Sequence, residues 1–336
     1  VKIATPRWWY ERRRSMAVTR TWLTPISWIW AAATARRIVR GRPVDPGAPV
    51  ICVGNLTMGG TGKTPIVREL AGRLRADGWT PHILSRGHGG RLTGPTRVDP
   101  TRHTAFDVGD EALMMASDAP TWVARDRLAG AEAAVRSGAN IIVMDDGHQN
   151  PSVAKILSLI VVDGETRDGE WPFGHGAVFP AGPMREPLKA GLARADAVII
   201  LLPDDLPAPS PELLKLFGGT PVLIARLSPV SPPPPGPQLG FAGIGKPWKM
   251  ERALKAAGCD LVDFAALADH AELTDQTLGF LAARAEALGA GLVTSEKDWV
   301  RLGASWKTRV AAWPVRAKFE DEAALTTLLG RLPPRS

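Results

Sequence analysis

Cysteine is nearly absent: Cys52 and Cys259 are the only two in 336 residues, and they lie far apart. Without metal-ligand spacing they exclude a disulfide scaffold and a thiolate metal centre, and two free thiols suit a reducing compartment. A secretory leader lacks its parts, because no small-residue cleavage site follows the first apolar stretch and Arg20 interrupts it. Acidic residues are almost missing from 1–42. There ten basic residues face Glu11 alone, a net +9, so the other 294 residues carry −2 of the overall +7. A nucleic-acid-binding domain spreads its positive charge over a folded face; no nucleic-acid partner is expected. The chain shows no internal repeat, and nothing in it marks an obligate protein partner.

The first 42 residues are instead rich in tryptophan, with five of the twelve. On a helix of about 100° per residue, Trp22, Ile26, Ile29, Trp30 and Ala33 share one face, while Arg20, Thr24, Ser27 and Thr34 share the opposite one. Pro25 is a candidate kink. Arginines flank the segment, where each would gain roughly 1 kcal/mol beside anionic lipid headgroups, and tryptophan favours the same boundary. A spanning helix over 16–35 is marginal, since it is close to minimum length and holds Arg20 and Pro25. A helix lying in the membrane surface fits the pattern best.

From Pro49 onward apolar runs alternate with helical stretches, which predicts an α/β fold with a mostly parallel sheet covered by helices. "SPVSPPPPGPQ" reads as an extended linker, and a second, smaller α/β pattern follows it. The expected units are a membrane-associated helix in 1–42, a P-loop nucleotide-binding domain in 43–228, a linker in 229–238, and a second domain in 239–336 that closes a cleft.

"VGNLTMGGTGKTPIVREL" almost spells a phosphate-binding loop, but Thr57 stands where the first glycine belongs. The core "GGTGKT" lies between a predicted strand and a predicted helix, as such a loop requires. Thr57, Met58, Gly59, Gly60, Thr61, Gly62, Lys63 and Thr64 are the expected nucleotide contacts. Backbone N–H groups would wrap the phosphates, Lys63 would reach the β- and γ-phosphates, and Thr64 would ligate Mg²⁺. Asp145 and Asp146, at the end of the apolar run "NIIVMDD", are candidate metal contacts, although paired aspartates also form turns. No Asn-Lys-x-Asp tetrapeptide for guanine is present, so ATP is the expected nucleotide.

Taken in order, "GNLTMGGTGKTP", "ILSRGHGG", "VGDEALMMA", "VMDDGHQN", "FPAGPMREPL", "FAGIGKP", "ADH" and "VTSEKD" resemble the tetraacyldisaccharide 4'-kinase family of lipid A biosynthesis over nearly the full length. The resemblance implies transfer of the γ-phosphate of ATP to the 4'-hydroxyl of a tetraacylated glucosamine disaccharide 1-phosphate. It also implies Mg²⁺ and a place at the cytoplasmic face of the bacterial inner membrane. It casts Asp110 as the base, His270 as its partner and Lys63 as the phosphate contact. Read alone, Asp110 is equally a helix N-cap and His270 a loop histidine. Arg125, Arg127, Gln149 and Glu186 are weaker candidates for substrate or phosphate contacts, and a solvated helix start accounts for the two arginines equally well.

Three positions depart from the family pattern. His148 stands where an aromatic is usual, Asn150 where a histidine is, and His88 where tyrosine is common. The competing reading is a membrane-associated P-loop ATPase switch. Such loops commonly carry an extra lysine where this chain has Thr57 and Met58, and the switch needs no second domain.

Overall fold

The apolar runs become strands because both faces of the sheet are covered, so that successive side chains are buried on opposite sides. The structure is a computed structural model that describes residues 6–10, 17–167 and 170–334; Lys2, Glu11, Arg12, Arg13, Arg14 and Met16 of the basic segment lie outside the described residues. In chain order the strands are β1 (Val50–Gly54), β2 (Pro81–Ser85), β3 (Thr96–Arg97), β4 (Thr121–Val123), β5 (Ile141–Asp145), β6 (Leu157–Asp163), β7 (Ala197–Pro203) and β8 (Val222–Pro229). Then follow β9 (Gln238–Ala242), β10 (Leu261–Ala266), β11 (Gly291–Ser295), β12 (Val310–Trp313) and β13 (Val315–Phe319).

Nine strands form one sheet in the order β13-β8-β7-β6-β1-β5-β2-β4-β3, and four form another in the order β10-β9-β11-β12. Among the described residues the edge strand pairs β13/β8 and β3/β4 are antiparallel and the other strand pairs parallel. Ile51, Val53, Ile141 and Val143 pack on one side against Ile66, Leu70 and Leu74 of the helix Lys63–Ala76. Val50, Cys52, Ile142 and Met144 pack on the other, against Ala131 and Ala134 of the helix Arg127–Arg136. This registry brings the carboxyl ends of β1, β5 and β2 side by side, the usual place for a ligand in an open α/β sheet.

The expected second domain of 239–336 is cut short. Its sheet ends at Trp313, and β13 returns to pair with β8, so the helix Glu322–Leu329 buries Leu325 and Leu328 in the first core. The physical reason is the apolar face of that helix, which finds its complement beside Leu223 and Ala225 of β8. Strand β8 itself was not anticipated, because its outward positions Arg226 and Ser228 dilute the apolar run.

The helix Ala17–Arg40 runs uninterrupted through Pro25. Its orientation inverts that of an ordinary surface helix. Ser27 and Thr34 are buried, and Ser27 Oγ accepts from the Ala181 N–H at 3.1 Å. Trp22 and Trp28, by contrast, are 79% and 70% exposed, with Ile26 and Ile29 beside them. Among the described residues no helix is long and apolar enough to cross a membrane.

Candidate active site

Between β1 and the helix Lys63–Ala76 the chain makes a loop with two left-handed positions, Gly59 (φ 84°) and Gly62 (φ 79°), which only glycine adopts readily. Gly62 caps the helix without any side chain, so the first-turn N–H groups face the loop, where an anion is stabilised. Thr57 needs no glycine. It forms an extended bridge with Met184, its carbonyl accepts from Arg185 Nε at 3.0 Å, and the Met58 N–H donates to Pro183 O at 2.7 Å. The expected contact stretch is therefore shorter at its start. Met58 N–H serves the 183–185 segment, and the open part of the loop runs from Gly59 to Thr64. The Met58 carbonyl accepts the Tyr10 hydroxyl, and burial pushes that phenol up to about 12, so it stays a donor.

Asp145 and Asp146 sit where β5 ends beside this loop. Asp146 adopts φ 50° and faces Lys63 Nζ at 3.5 Å and Arg185 Nη1 at 2.8 Å. Burial opposes its charge, but these two cations hold its carboxyl well below the usual range. Asp145 Oδ2 accepts from Ser85 Oγ at 3.2 Å, whereas its Oδ1 is buried with no partner. Burial, with Glu111 nearby, pushes this carboxyl up to about 7 despite Lys63. A buried carboxylate oxygen left without a partner beside a hydroxyl and a second carboxylate suits a divalent cation, and Thr64, Asp145 and Asp146 are the residues that would hold it.

Across the cleft, His270 Nδ1 lies 2.9 Å from Asp110 Oδ2, a bond between the two sheets' lobes. Asp110 is buried at the start of the helix Asp110–Met115, and its other oxygen accepts the Glu111 N–H at 2.9 Å. Burial alone would raise its pKa, but His270, Lys297 and Arg301 outweigh it and hold it down to about 2. His270 has φ 55°, an unfavourable conformation for a non-glycine residue, pinned by its N–H to Gly243 O at 3.0 Å. A Cβ placed on Gly245 would lie 3.6 Å from Asp269 Oδ2 and 3.9 Å from Gly60 N. The lobes thus bring the carboxylate–histidine pair and the glycine loop to one cleft.

Lys297 and Arg185 were not anticipated. Lys297 Nζ is 3.4 Å from His270 Nε2 and 3.2 Å from Glu111 Oε1. Both residues lay inside quoted motifs, "SEKD" and "MREP", yet only the folded chain shows what they face. Three weaker expectations change. Arg127 is buried and donates to the carbonyls of Asp145 (2.9 Å) and Leu84 (3.4 Å), so it props the strand ends and clamps no phosphate. Glu186 is buried against Arg194, at 2.7 Å to both oxygens. Gln149 donates to Glu186 and to Asn55 O, bracing the loop from behind. Arg125 is exposed, its N–H bonded to Thr93 O.

A family model described as tetraacyldisaccharide-1-P 4'-kinase matches residues 19–333. The chain belongs to this family. The tetraacyldisaccharide 4'-kinase of Phenylobacterium zucineum is 67% identical over 99% of this chain and all of the relative, and that of Caulobacter vibrioides is 66% identical over 98% of each. A crystal structure of LpxK from Aquifex aeolicus in complex with ATP shares the fold, with TM-score 0.73, 24% identity and coverage of 93% of this chain and 99% of that one.

Against that family's pattern the three departures have structural explanations or neighbours. His148 is buried, with Nδ1 2.9 Å from Ser158 Oγ and Nε2 3.0 Å from Gly191 O. Burial, with Arg194 and Lys155 adding to it, lowers its pKa to about 3, so it is neutral and staples the loop to β6. Asn150 Oδ1 accepts from the N–H and hydroxyl of Ser152, a turn contact. His88 lies edge-on to His270 with ring centroids 6.1 Å apart, which puts this departure beside the Asp110–His270 pair.

Proposed function

We propose that this protein uses ATP to phosphorylate the 4'-hydroxyl of a tetraacylated glucosamine disaccharide 1-phosphate, giving the bis-phosphorylated lipid A precursor. The observation that carries the reading is the Asp110–His270 pair, 2.9 Å apart across the cleft from the glycine loop. A phosphoryl donor and a proton acceptor are needed in one place, and this cleft offers both.

In the reaction, the hydroxyl oxygen bonds to the γ-phosphorus as the bond to the β,γ-bridging oxygen breaks and ADP leaves. Asp110 accepts the hydroxyl proton. His270 orients that carboxylate, and Lys297 sits against the far ring nitrogen of His270, favouring the tautomer that donates from Nδ1 to Asp110. Lys63 and the N–H groups of Gly59 to Thr64 hold the phosphates, and Arg185 fixes Asp146 and Thr57. Mg²⁺ held by Thr64, Asp145 and Asp146 would supply charge neutralisation at the phosphates. The remaining catalysis is positioning and electrostatics.

The helix Ala17–Arg40 lies in the cytoplasmic face of the bacterial inner membrane. Its apolar residues point away from the protein, and its basic residues, Arg36, Arg37 and Arg40, would meet anionic headgroups. The protein is thereby a peripheral or monotopic lipid kinase. The test is a transfer assay with labelled ATP, Mg²⁺ and tetraacyldisaccharide 1-phosphate in mild detergent. Label on the lipid, lost in Lys63→Ala, is the expected result; label released only as free phosphate would overturn the reading in favour of an ATPase switch.

A further inference from the structure

Arg68 lies one helical turn beyond Thr64, on the same face of the helix Lys63–Ala76, and its side chain is buried. Its guanidinium donates on two sides. Nε donates to Asp118 Oδ2, while Nη1 and Nη2 donate to the two oxygens of Glu296 at 2.7 and 2.8 Å, a forked pair. A buried cation needs a counter-charge, but one carboxylate would supply that. Here the two carboxylates come from different lobes, and each leads to one member of the Asp110–His270 pair.

Asp118 stands just past the helix Asp110–Met115. Glu296 opens the short helix Glu296–Trp299 of the second lobe, which packs on the first helix. The next residue, Lys297, places Nζ 3.4 Å from His270 Nε2. The one after it, Asp298, is buried, and its Oδ2 accepts the Gly243 N–H at 3.0 Å. The Gly243 carbonyl in turn accepts the His270 N–H at 3.0 Å. Asp298 Oδ1 also accepts from Arg301 Nη1 at 3.0 Å, and Arg301 donates to Ala271 O. One short helix thus holds His270 from both sides, in its unfavourable backbone conformation. Arg68 holds the start of that helix against the segment that carries Asp110, and holds both to the nucleotide helix.

We propose that Arg68 is a positioning residue for phosphoryl transfer, fixing Asp110 and His270 relative to each other and to the glycine loop. The inference rests on the lipid-kinase reading above and adds to it a residue that touches neither member of the pair. A misplacement of about 1 Å can cost about 100-fold in rate, and a guanidinium fork allows less play than an ammonium.

Arg316 supplies a control. From β13 its Nη1 donates to Glu296 Oε2 at 2.9 Å and its Nη2 lies 3.8 Å from Asp118 Oδ1, so it shares both carboxylates without belonging to the nucleotide helix.

Arg68→Lys keeps the charge but cannot make the fork and the third bond together. It should lower kcat about 10- to 100-fold while KM for ATP stays within about twofold. In an Asp110→Asn background it should add little, because it acts through that pair. Glu296→Gln, at a half-buried position, should behave alike and serves if Arg68→Lys folds poorly. Arg316→Gln should lower Tm and leave kcat as in the parent. Nitrogen NMR with labelled histidine reads the pair without turnover. The His270 Nδ1 resonance, identified by its loss in His270→Gln, should be that of a protonated nitrogen in the parent. It should move toward the unprotonated position in Arg68→Lys and Glu296→Gln, and stay in place in Arg316→Gln. Parental kcat or an unmoved resonance in both variants, or losses that multiply with Asp110→Asn, would overturn the proposal. The expected resonance changes in a protein that puts no label on the lipid would instead leave the positioning role standing and remove the kinase reading.

Discussion

Replacing Asp110 by asparagine keeps the shape of the side chain and removes both its charge and its ability to take a proton. Loss of a positioned general base typically lowers turnover about 10²- to 10⁴-fold, so Asp110→Asn should fall in that range with KM for ATP little changed. The same substitution has a thermodynamic signature. The carboxyl is held at about 2 against an ordinary 3.8, and the residue is only 6% exposed, which corresponds to about 2 kcal/mol of folding stability. A depressed carboxylate stabilises above its unfolded pKa and loses that contribution as pH falls through its folded pKa. The gap between parent and variant should therefore be full above pH ~5, about half remaining near pH 3, and gone below pH ~2.

The assays are initial rates with lipid acceptor and urea unfolding at pH 7 and pH 3. His270→Gln completes a double-mutant cycle. If the pair acts as a unit, the double variant should be little slower than Asp110→Asn alone. Multiplicative losses, or a variant within tenfold of parental turnover, would refute the role assigned to the pair. A stability gap that does not shrink between pH 7 and pH 3 would refute its electrostatic origin.

Lys63→Ala should lower kcat/KM at least about 100-fold, with little change in Tm, because Arg185 remains bonded to Asp146 at 2.8 Å. In Asp145→Asn the Mg²⁺ needed for half-maximal rate should rise. Because that carboxyl is pushed up to about 7, its ionisation destabilises the fold as pH rises from about 4 to 7, so with EDTA the variant should unfold later than the parent at pH 8 and no later at pH 4. Trp22→Glu with Trp28→Glu should end co-sedimentation with anionic vesicles while leaving Tm in place, since both side chains are largely exposed. His148→Phe, which restores the aromatic of the family pattern, should cost about 1–3 kcal/mol in urea unfolding by leaving Ser158 Oγ and Gly191 O without their partner.

Much of the α/β architecture was legible because parallel strands buried on both faces appear as continuous apolar runs, and "PVICVGN" or "DAVIILLP" admit little else. Strand β8 was not, since an alternating half-buried strand with Arg226 and Ser228 outward resembles a loop approach. The return of β13 was hidden for a different reason: pairing partners are a property of the whole sheet, and "VRAKF" carries no mark of β8. At the site, glycines at positive φ and a strand-end Asp-Asp pair are local requirements, visible in one stretch of chain. The role of Arg127 was misread because an arginine at a helix start looks the same whether it points to solvent or under a strand. Lys297 and His270 stand 27 positions apart in the chain and meet only once it has folded.

The inverted helix and the glycine loop are mechanically joined, and that joint bears on how a lipid kinase finds its acceptor. Trp30 Nε1 donates to Arg185 O at 3.3 Å, while the Arg185 guanidinium holds Thr57 O and Asp146. Tyr10, on the other side, holds Met58. The surface that would rest on the membrane is therefore one residue removed from the groups that set the glycine loop. A helix connected by a flexible tether would only raise local concentration. If the helix rests on the membrane as proposed, a helix bonded to the loop's own supports would also set the height of the cleft above the bilayer, so that an acceptor hydroxyl on an embedded lipid would meet Asp110 at a defined depth. Substitution of Trp30 by phenylalanine keeps the ring contact with Phe179 and removes only the hydrogen bond to Arg185. It should leave vesicle binding intact while lowering turnover on lipid more than ATP binding, and equal losses in both would count against the coupling.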